Sequence, residues 1–240
     1  MTLGYKKYLK DILPIESGGY IAKLSSEHDV TFFNKYMLCE EANIIIKINN
    51  NNEGYFDFNK AILDLGAYVG CYSCFTGFSM AYAFEPSYEN YSFLNVNLIL
   101  NDKPHQTFNV LLSDSNEYIY FDGFNTNLSN KEFNASTNFT EAYDKEKSKE
   151  LIAHTVDEYN LNNIGFIKVD VEGMEEKVLR GAQETIIRNN YPPILFELWE
   201  INVNTMTAEK YYSCINFIES LGYTILYNWG DHQTHLAIKL

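Results

Sequence analysis

Residues 62–70 read ILDLGAYVG. The run up to Leu65 is short and mostly apolar, as a buried strand should be, and Gly66 lets the chain turn sharply at its end. Gly70 then opens a helix. Strand, glycine turn and helix in that order make the first unit of an α/β sheet. In open sheets of this kind ligands collect beyond the carboxyl ends of the strands. The spacing is G-x-x-x-G, not the G-x-G-x-x-G of a typical dinucleotide loop. Asp64, just before the turn, is placed to hydrogen-bond a ligand amine or the water around it. The turn alone is a weak signal.

The next stretch, AFEPS (Ala83–Ser87), ends a second strand. Glu85 falls about 20 residues beyond the glycine turn, where a carboxylate can accept hydrogen bonds from both hydroxyls of a ribose. The rival reading is a solvated Glu at a strand end. Turn and carboxylate together point to an adenosine-type cofactor held by Gly66, Ala67, Tyr68 and Gly70 on one side and by Glu85 and Pro86 on the other. LLSDS (Leu111–Ser115) ends a third strand, TFNVLL, where Ser113 and Asp114 either meet the adenine edge or form an ordinary Ser-Asp turn. IKVDVEGMEEKVLRGA (Ile167–Ala182) places Lys168 and Asp170 on one strand face by the period of two. Asp170 and Glu172 then stand at the strand tip, and Gly173 opens a helix. Charged groups there suit substrate binding or acid–base work, and helix capping is the plainer alternative.

Around these motifs the pattern alternates. IIIKI (Ile44–Ile48) and YFDF (Tyr55–Phe58) read as short strands in an N-terminal cap, residues 1–60. From residue 61 a core runs to 240. It has a helix from Cys71, the strand AYAFE, a helix to Asn101, and EYIYF as a strand beside TFNVLL. The strand IGFIKVD follows, then one helix EEKVLRGAQETIIRNN, the strand PPILFELW and the helix AEKYYSCINFIESLG. Two closing strands, YTILYNW and THLAIKL, are joined by a connection too short for a helical crossover, so the last should be antiparallel. Residues 122–150 break the alternation and read as an insertion, either a substrate loop or a surface excursion. The expected architecture is one α/β domain over 1–240. Its sheet is seven-stranded and mainly parallel, with an antiparallel last strand and helices on both faces.

Composition narrows the function. The 240 residues are 46% hydrophobic and 21% charged, as in an ordinary globular chain, and 15% aromatic. A formal net charge of −14 argues against nucleic acid and anionic membrane as partners. No apolar run approaches the ~20 residues of a membrane span. The N-terminus lacks the pattern of a secretory signal, so the expected location is cytoplasmic. Asn127, Asn134 and Asn138 begin N-x-S/T triplets, which then reflect an Asn-rich composition. Cys71 and Cys74 form a C-x-x-C pair, but Cys39 and Cys214 stand far apart, so zinc lacks a second ligand pair. Buried, reduced thiols in a helix are the expectation.

Taken in order, ILDLGAYVG, AFEPS, LNVNLILN, TVDEY, IKVDVEGMEEKVLRGA and PPILFELWE resemble the FkbM-type methyltransferases over Ile62–Glu200. The segment holding Lys168, Asp170, Glu172, Gly173 and Glu175 carries the resemblance most specifically. Leu94, Asn97, Asn101 and Asp157 also match. Tyr68 departs from it, standing where the family usually has Asn, beside the cofactor's methionine end. The resemblance implies a Rossmann-like class I fold, S-adenosylmethionine as cofactor, and O-methylation, often of a sugar hydroxyl in a glycan, a lipid-linked saccharide or a natural product; a nucleotide-linked sugar is a further candidate acceptor.

An alcohol needs its proton removed as it attacks a methyl group. The candidate bases are Asp170, Glu172, Glu197 at the end of the PPILFE strand, and His232 in the final hairpin loop. Asp170, Glu197 and His232 would also suit an oxygen-rich divalent-metal site, although the sequence contains no compact metal motif and none is expected. Two rivals remain. An NAD-dependent oxidoreductase explains Gly66 and Glu85 but not the Asp170–Glu172 motif. A non-catalytic Rossmann-like protein keeps the fold without turnover. The acceptor and the oligomeric state stay open.

Overall fold

The computed structural model describes residues 38–121, 149–201, 203 and 206–240. Most of the expected 122–150 insertion, most of the N-terminal cap and the three N-x-S/T triplets lie outside these residues.

A seven-stranded sheet forms the body. Its strands are β1 (Ala61–Leu65), β2 (Met80–Phe84), β3 (His105–Phe108), β7 (Ile164–Val169), β8 (Ile194–Glu197), β9 (Thr224–Leu226) and β10 (Thr234–Ile238). Their spatial order is β3-β2-β1-β7-β8-β10-β9. The pairs β1–β2, β2–β3, β1–β7 and β7–β8 are parallel, and β10 runs antiparallel to both β8 and β9. The antiparallel last strand expected from the short final connection is therefore present. It inserts between β8 and β9.

The strands are covered on both faces, and side chains alternate between two apolar clusters. Leu63, Ile167 and Phe196 face one cluster with Val178, Ile186 and Ile218, whereas Ile62, Phe166 and Leu195 face the other with Ile48 and Leu94. The second face is covered by α1 (Leu38–Asn50), α2 (Cys71–Phe75) and α3 (Tyr88–Leu100); the first by α4 (Glu175–Arg180), α5 (Gln183–Arg188) and α6 (Ala208–Ser220). Cys71 and Cys214 are buried free thiols, and Cys74 is a half-buried one.

Five local expectations are corrected. Ile44–Ile48 is helical, inside α1. Ile44 and Ile48 are 4% and 0% exposed whereas Ile46 is 55% exposed. The burial period is that of a helix, and the β-branched run concealed it. Tyr55–Phe58 is not a strand. The Phe56 backbone pairs with the Asn51 side chain in both directions, at 3.1 and 2.9 Å. Its ring meets Phe78, Phe166 and Trp229 edge-on, so this segment plugs the core end-on.

TFNVLL splits into β3 and β4 (Leu111–Leu112), which belong to different sheets. β4 joins a three-stranded sheet with β6 (Lys149–His154) and β5 (Tyr118–Phe121), in the order β4-β6-β5, so β5 lies beside β6 and not beside TFNVLL. EEKVLRGAQETIIRNN forms two helices, α4 and α5. At the break, a Cβ on Gly181 would stand 2.1 Å from the Ser113 carbonyl oxygen, so the end of β4 packs directly on the helix backbone. Asp157, in a 3-10 turn (Val156–Tyr159), caps α5 by accepting the backbone N–H groups of Glu184 and Thr185 at 3.0 and 2.7 Å.

Candidate active site

The carboxyl ends of β1 and β2 build the first half of the site. Gly66 has φ +78°, and a Cβ there would lie 1.8 Å from the Asp170 carbonyl oxygen. Glycine is required both for the turn and for the approach of the β7 tip. The N–H groups of Gly66 and Ala67 both donate to the Phe84 carbonyl, at 3.1 and 2.8 Å, which folds the loop onto the end of β2. Tyr68 is left-handed at φ 50°, a conformation that Asn adopts more readily than Tyr. Helix α3 supports the loop from behind: Asn97 donates to the Val69 carbonyl at 2.8 Å, and Leu94 fills the space against Gly70. The match of Leu94 and Asn97 to the family pattern thus has a structural reason.

Glu85 faces this loop. Its carboxylate accepts the N–H of Tyr68 at 2.9 Å and of Ser87 at 2.8 Å, with a longer contact from Asn90 at 3.4 Å. A carboxylate has about four acceptor sites, so room remains for a ribose hydroxyl. Burial pushes Glu85 up to about 7, against the lowering effect of those donors. Pro86 and Glu85 offer their carbonyls to Asn109 Nδ2, at 3.0 and 2.8 Å. Asn109 follows β3 directly and is the residue that the end of the third main-sheet strand presents. Ser113 and Asp114, expected there, sit instead at the end of β4. Ser113 is buried and donates towards Glu117, while Asp114 is exposed, and none of their hydrogen bonds reaches the Gly66–Glu85 cluster.

Asp64 is fully buried. It accepts from Ser73 Oγ at 2.6 Å and lies 3.7 Å from Lys168 Nζ, its register neighbour on β7. Burial holds its carboxyl above the usual carboxylate range, with Lys168 opposing.

The ends of β7 and β8 build the second half. A cavity of about 420 Å³ opens there, with Lys168, Asp170, Glu197 and His232 among its lining residues, beside the Tyr72 and Phe196 rings. Three of the four candidate bases are thus brought together. The fourth, Glu172, does not line the cavity. It occupies a left-handed turn (φ 57°) whose next residue, Gly173, has φ 95°. Glu175, buried and 3% exposed, ties this turn by accepting the N–H groups of Val171 and Gly173 at 3.3 and 3.0 Å.

The carboxylates repel one another. Burial, then the charge of Asp170, raises Glu197 to about 9 and Glu172 to about 8, and burial raises Glu175 to about 7. Burial and the neighbouring Asp170 charge thus favour the protonated form of Glu197, which can donate a hydrogen bond. Lys168 is the cation among them, 3.3 Å from Asp170 Oδ2. Among the described residues no group of three His, Cys, Asp or Glu side chains stands close enough to hold a metal ion. No helix among them is long and apolar enough to cross a membrane.

Lys168 and Glu175 had not been singled out as site residues. Their signal was in the sequence all the same: a lysine inside IGFIKV, a strand buried at all six positions, needs buried acidic partners.

Comparison with known proteins places these motifs. Residues 64–225 match the family model described as the Methyltransferase FkbM domain. The fold is similar to the crystal structure of Methyltransferase FkbM from Methylobacillus flagellatus KT, at 15% identity and TM-score 0.51, over 98% of this chain and 58% of that one. This chain thus spans well under two thirds of that protein. A putative caffeoyl-CoA O-methyltransferase from Staphylococcus aureus aligns at 13% identity and TM-score 0.46, over 98% and 99% of the two chains. An rRNA methylase from Streptococcus thermophilus aligns at 11% identity and TM-score 0.47, over 82% and 96%. No curated protein matches.

Proposed function

The chain belongs to the FkbM methyltransferase domain family, and from that premise we propose that it transfers a methyl group from S-adenosylmethionine to a hydroxyl oxygen of a saccharide, free or nucleotide-linked. The observation that carries this reading is the union of two half-sites. The Gly66–Glu85 cluster has the acceptor chemistry for a ribose, and the Asp170–Glu197 cavity adjoins it through the contact of the Asp170 backbone with Gly66.

When bound, the cofactor supplies a methyl group on a positively charged sulfonium. Glu85 would accept from the ribose hydroxyls, and the Gly66–Gly70 turn, whose glycines carry no side chain, would shape the rest of the cradle. Asp170 would take the acceptor's hydroxyl proton onto a carboxylate oxygen as the acceptor oxygen gains the methyl group and the sulfonium, losing its S–CH3 bond, leaves as a neutral thioether. Glu197, held neutral by burial and by the charge of Asp170, donates a hydrogen bond to a second oxygen of the acceptor. A cavity lined by Asn43, Gln233 and Thr234 and by two aromatic rings offers both hydroxyl partners and a flat wall, as a sugar requires.

Calorimetry tests the cofactor first. S-adenosylmethionine and S-adenosylhomocysteine should bind, NAD should not, and Glu85→Ala should weaken binding. A screen of monosaccharides, nucleotide sugars and glycans with radiolabelled S-adenosylmethionine then tests the acceptor. Binding of NAD instead would favour an oxidoreductase. Cofactor binding with no labelled saccharide would overturn the acceptor class.

A further inference from the structure

β7 buries all six of its residues, and one of them is a lysine. A buried ammonium is retained only where partners offset its lost hydration. Lys168 Nζ has three such partners on separate parts of the site. It donates to the Gly66 carbonyl at 2.8 Å, lies 3.3 Å from Asp170 Oδ2 and stands 3.7 Å from Asp64 Oδ1. Asp64 Oδ1 is buried with no hydrogen bond, so the ammonium is its compensating charge. Neutralising Asp64 would not by itself require the other two contacts. Those two join the turn on the cofactor side to the carboxylate on the acceptor side.

We propose that Lys168 is a positioning residue for methyl transfer: one ammonium holds the Asp170 carboxylate and the Gly66 turn at a fixed separation. The use of that separation rests on the methyltransferase reading above. In-line transfer needs the acceptor oxygen and the methyl group at near-attack distance, and a displacement of about 1 Å can cost about a hundredfold in rate. The titratable groups facing Asp170 are Asp64 from β1, Glu172 and Glu175 from the segment after β7, Glu197 from β8 and His232 from the loop before β10. Among the described residues Lys168 is the lysine paired with Asp170, at 3.3 Å, so its loss must be felt there.

The test uses the full chain as Lys168→Met, Lys168→Arg and the double variant Asp64→Asn/Lys168→Met, with folding followed by circular dichroism. The first readout is the affinity for S-adenosylhomocysteine by calorimetry. The second is kcat and KM, measured separately on an acceptor from the saccharide screen. Lys168→Met should weaken cofactor-product binding about tenfold or more and lower kcat about a hundredfold, with the acceptor KM changed less. Lys168→Arg should restore both in large part. If Lys168→Met does not fold, the double variant, which removes the buried charges together, decides by the same two changes.

A merely structural lysine would leave kcat unchanged in a folded variant, and an unchanged kcat overturns the proposal. So does unchanged affinity, because the Gly66 contact would then hold nothing. A folded wild type that binds neither S-adenosylmethionine nor S-adenosylhomocysteine sinks the methyltransferase reading itself. That outcome is distinct from a wild type that binds while Lys168→Met binds equally well.

Discussion

The Glu85 carboxylate accepts the backbone N–H of Tyr68 at 2.9 Å, so the end of β2 holds the glycine loop of β1 in place. On the proposed reading, ligand recognition and loop geometry therefore depend on one side chain. Glu85→Ala leaves the N–H groups of Tyr68 and Ser87 without their acceptor. Each unpaired buried donor costs about 1–3 kcal/mol. The variant should melt at lower temperature and bind S-adenosylhomocysteine at least about tenfold more weakly, which is about 1.4 kcal/mol. Glu85→Gln keeps one acceptor oxygen and should fall between it and the wild type. Thermal melts and calorimetry on the three proteins check the order. Wild-type melting of Glu85→Ala would mean that the loop stands without this carboxylate.

The raised carboxyls set the pH dependence of stability. Glu85 and Glu175 rise to about 7 in the folded state, and Glu172 to about 8. A carboxyl whose folded value lies above its unfolded value of about 4.3 holds its proton longer when folded. Its contribution is complete below about pH 4.3 and is lost as pH rises through the folded value. For Glu85 alone this amounts to something on the order of 3 kcal/mol. The ligand-free protein should thus be more stable near pH 5.5 than near pH 8.5. Denaturant unfolding at a series of pH values measures this slope, and Glu85→Gln should flatten part of it. A stability that rises across that interval would contradict the burial of these groups.

Ile62–Gly70 was legible because a strand buried on both faces appears as an apolar run and because a turn this tight leaves glycine in place. The mainly parallel sheet and its antiparallel last strand followed from the alternation and from the short final connection. Asp170, Glu197 and His232 could be named because strand tips and the last hairpin converge at one edge of such a sheet. What stayed hidden depended on contacts far apart in sequence. Ile44–Ile48 looked like a strand because β-branched residues mimic one over five positions; only Trp229 and the rest of the second core cluster reveal which isoleucines are inside. EEKVLRGAQETIIRNN read as one helix, and the reason for its break at Gly181, the Ser113 carbonyl, lies 68 residues earlier. The same splitting of TFNVLL carried Ser113 and Asp114 away from the position that Asn109 fills.

Asp157 offers a separate test of the fold. Its two oxygens cap α5 from another element, at 3.0 and 2.7 Å. Asp157→Ala should lower stability by about 1 kcal/mol, within the usual range for a lost cap. That corresponds to about 2–4 °C in melting temperature for a chain of this size. Asp157→Asn keeps one acceptor and should lose less. A family-matching residue with this behaviour, and with unchanged kinetics for any acceptor found, is matched for packing and not for chemistry.

The two cavity carboxyls should respond in opposite ways to amide substitution. Asp170 is proposed to take a proton, and an amide cannot. Asp170→Asn should lower kcat by about a hundredfold or more, the usual scale for losing a general base, while the calorimetric affinity for S-adenosylmethionine stays within a few fold. Burial and the charge of Asp170 raise Glu197 and favour its neutral form. Glu197→Gln replaces one neutral donor with another of similar shape and should keep kcat within about tenfold at pH 7. Above pH 9 the wild-type Glu197 ionises and loses its donor, whereas Gln does not, so the activity of Glu197→Gln should decline less steeply at alkaline pH. The measurement is kcat against pH for the wild type and both variants on one acceptor from the saccharide screen. Equal damage from both substitutions would move the base from Asp170 to the pair, with Glu197 ionised in the working enzyme.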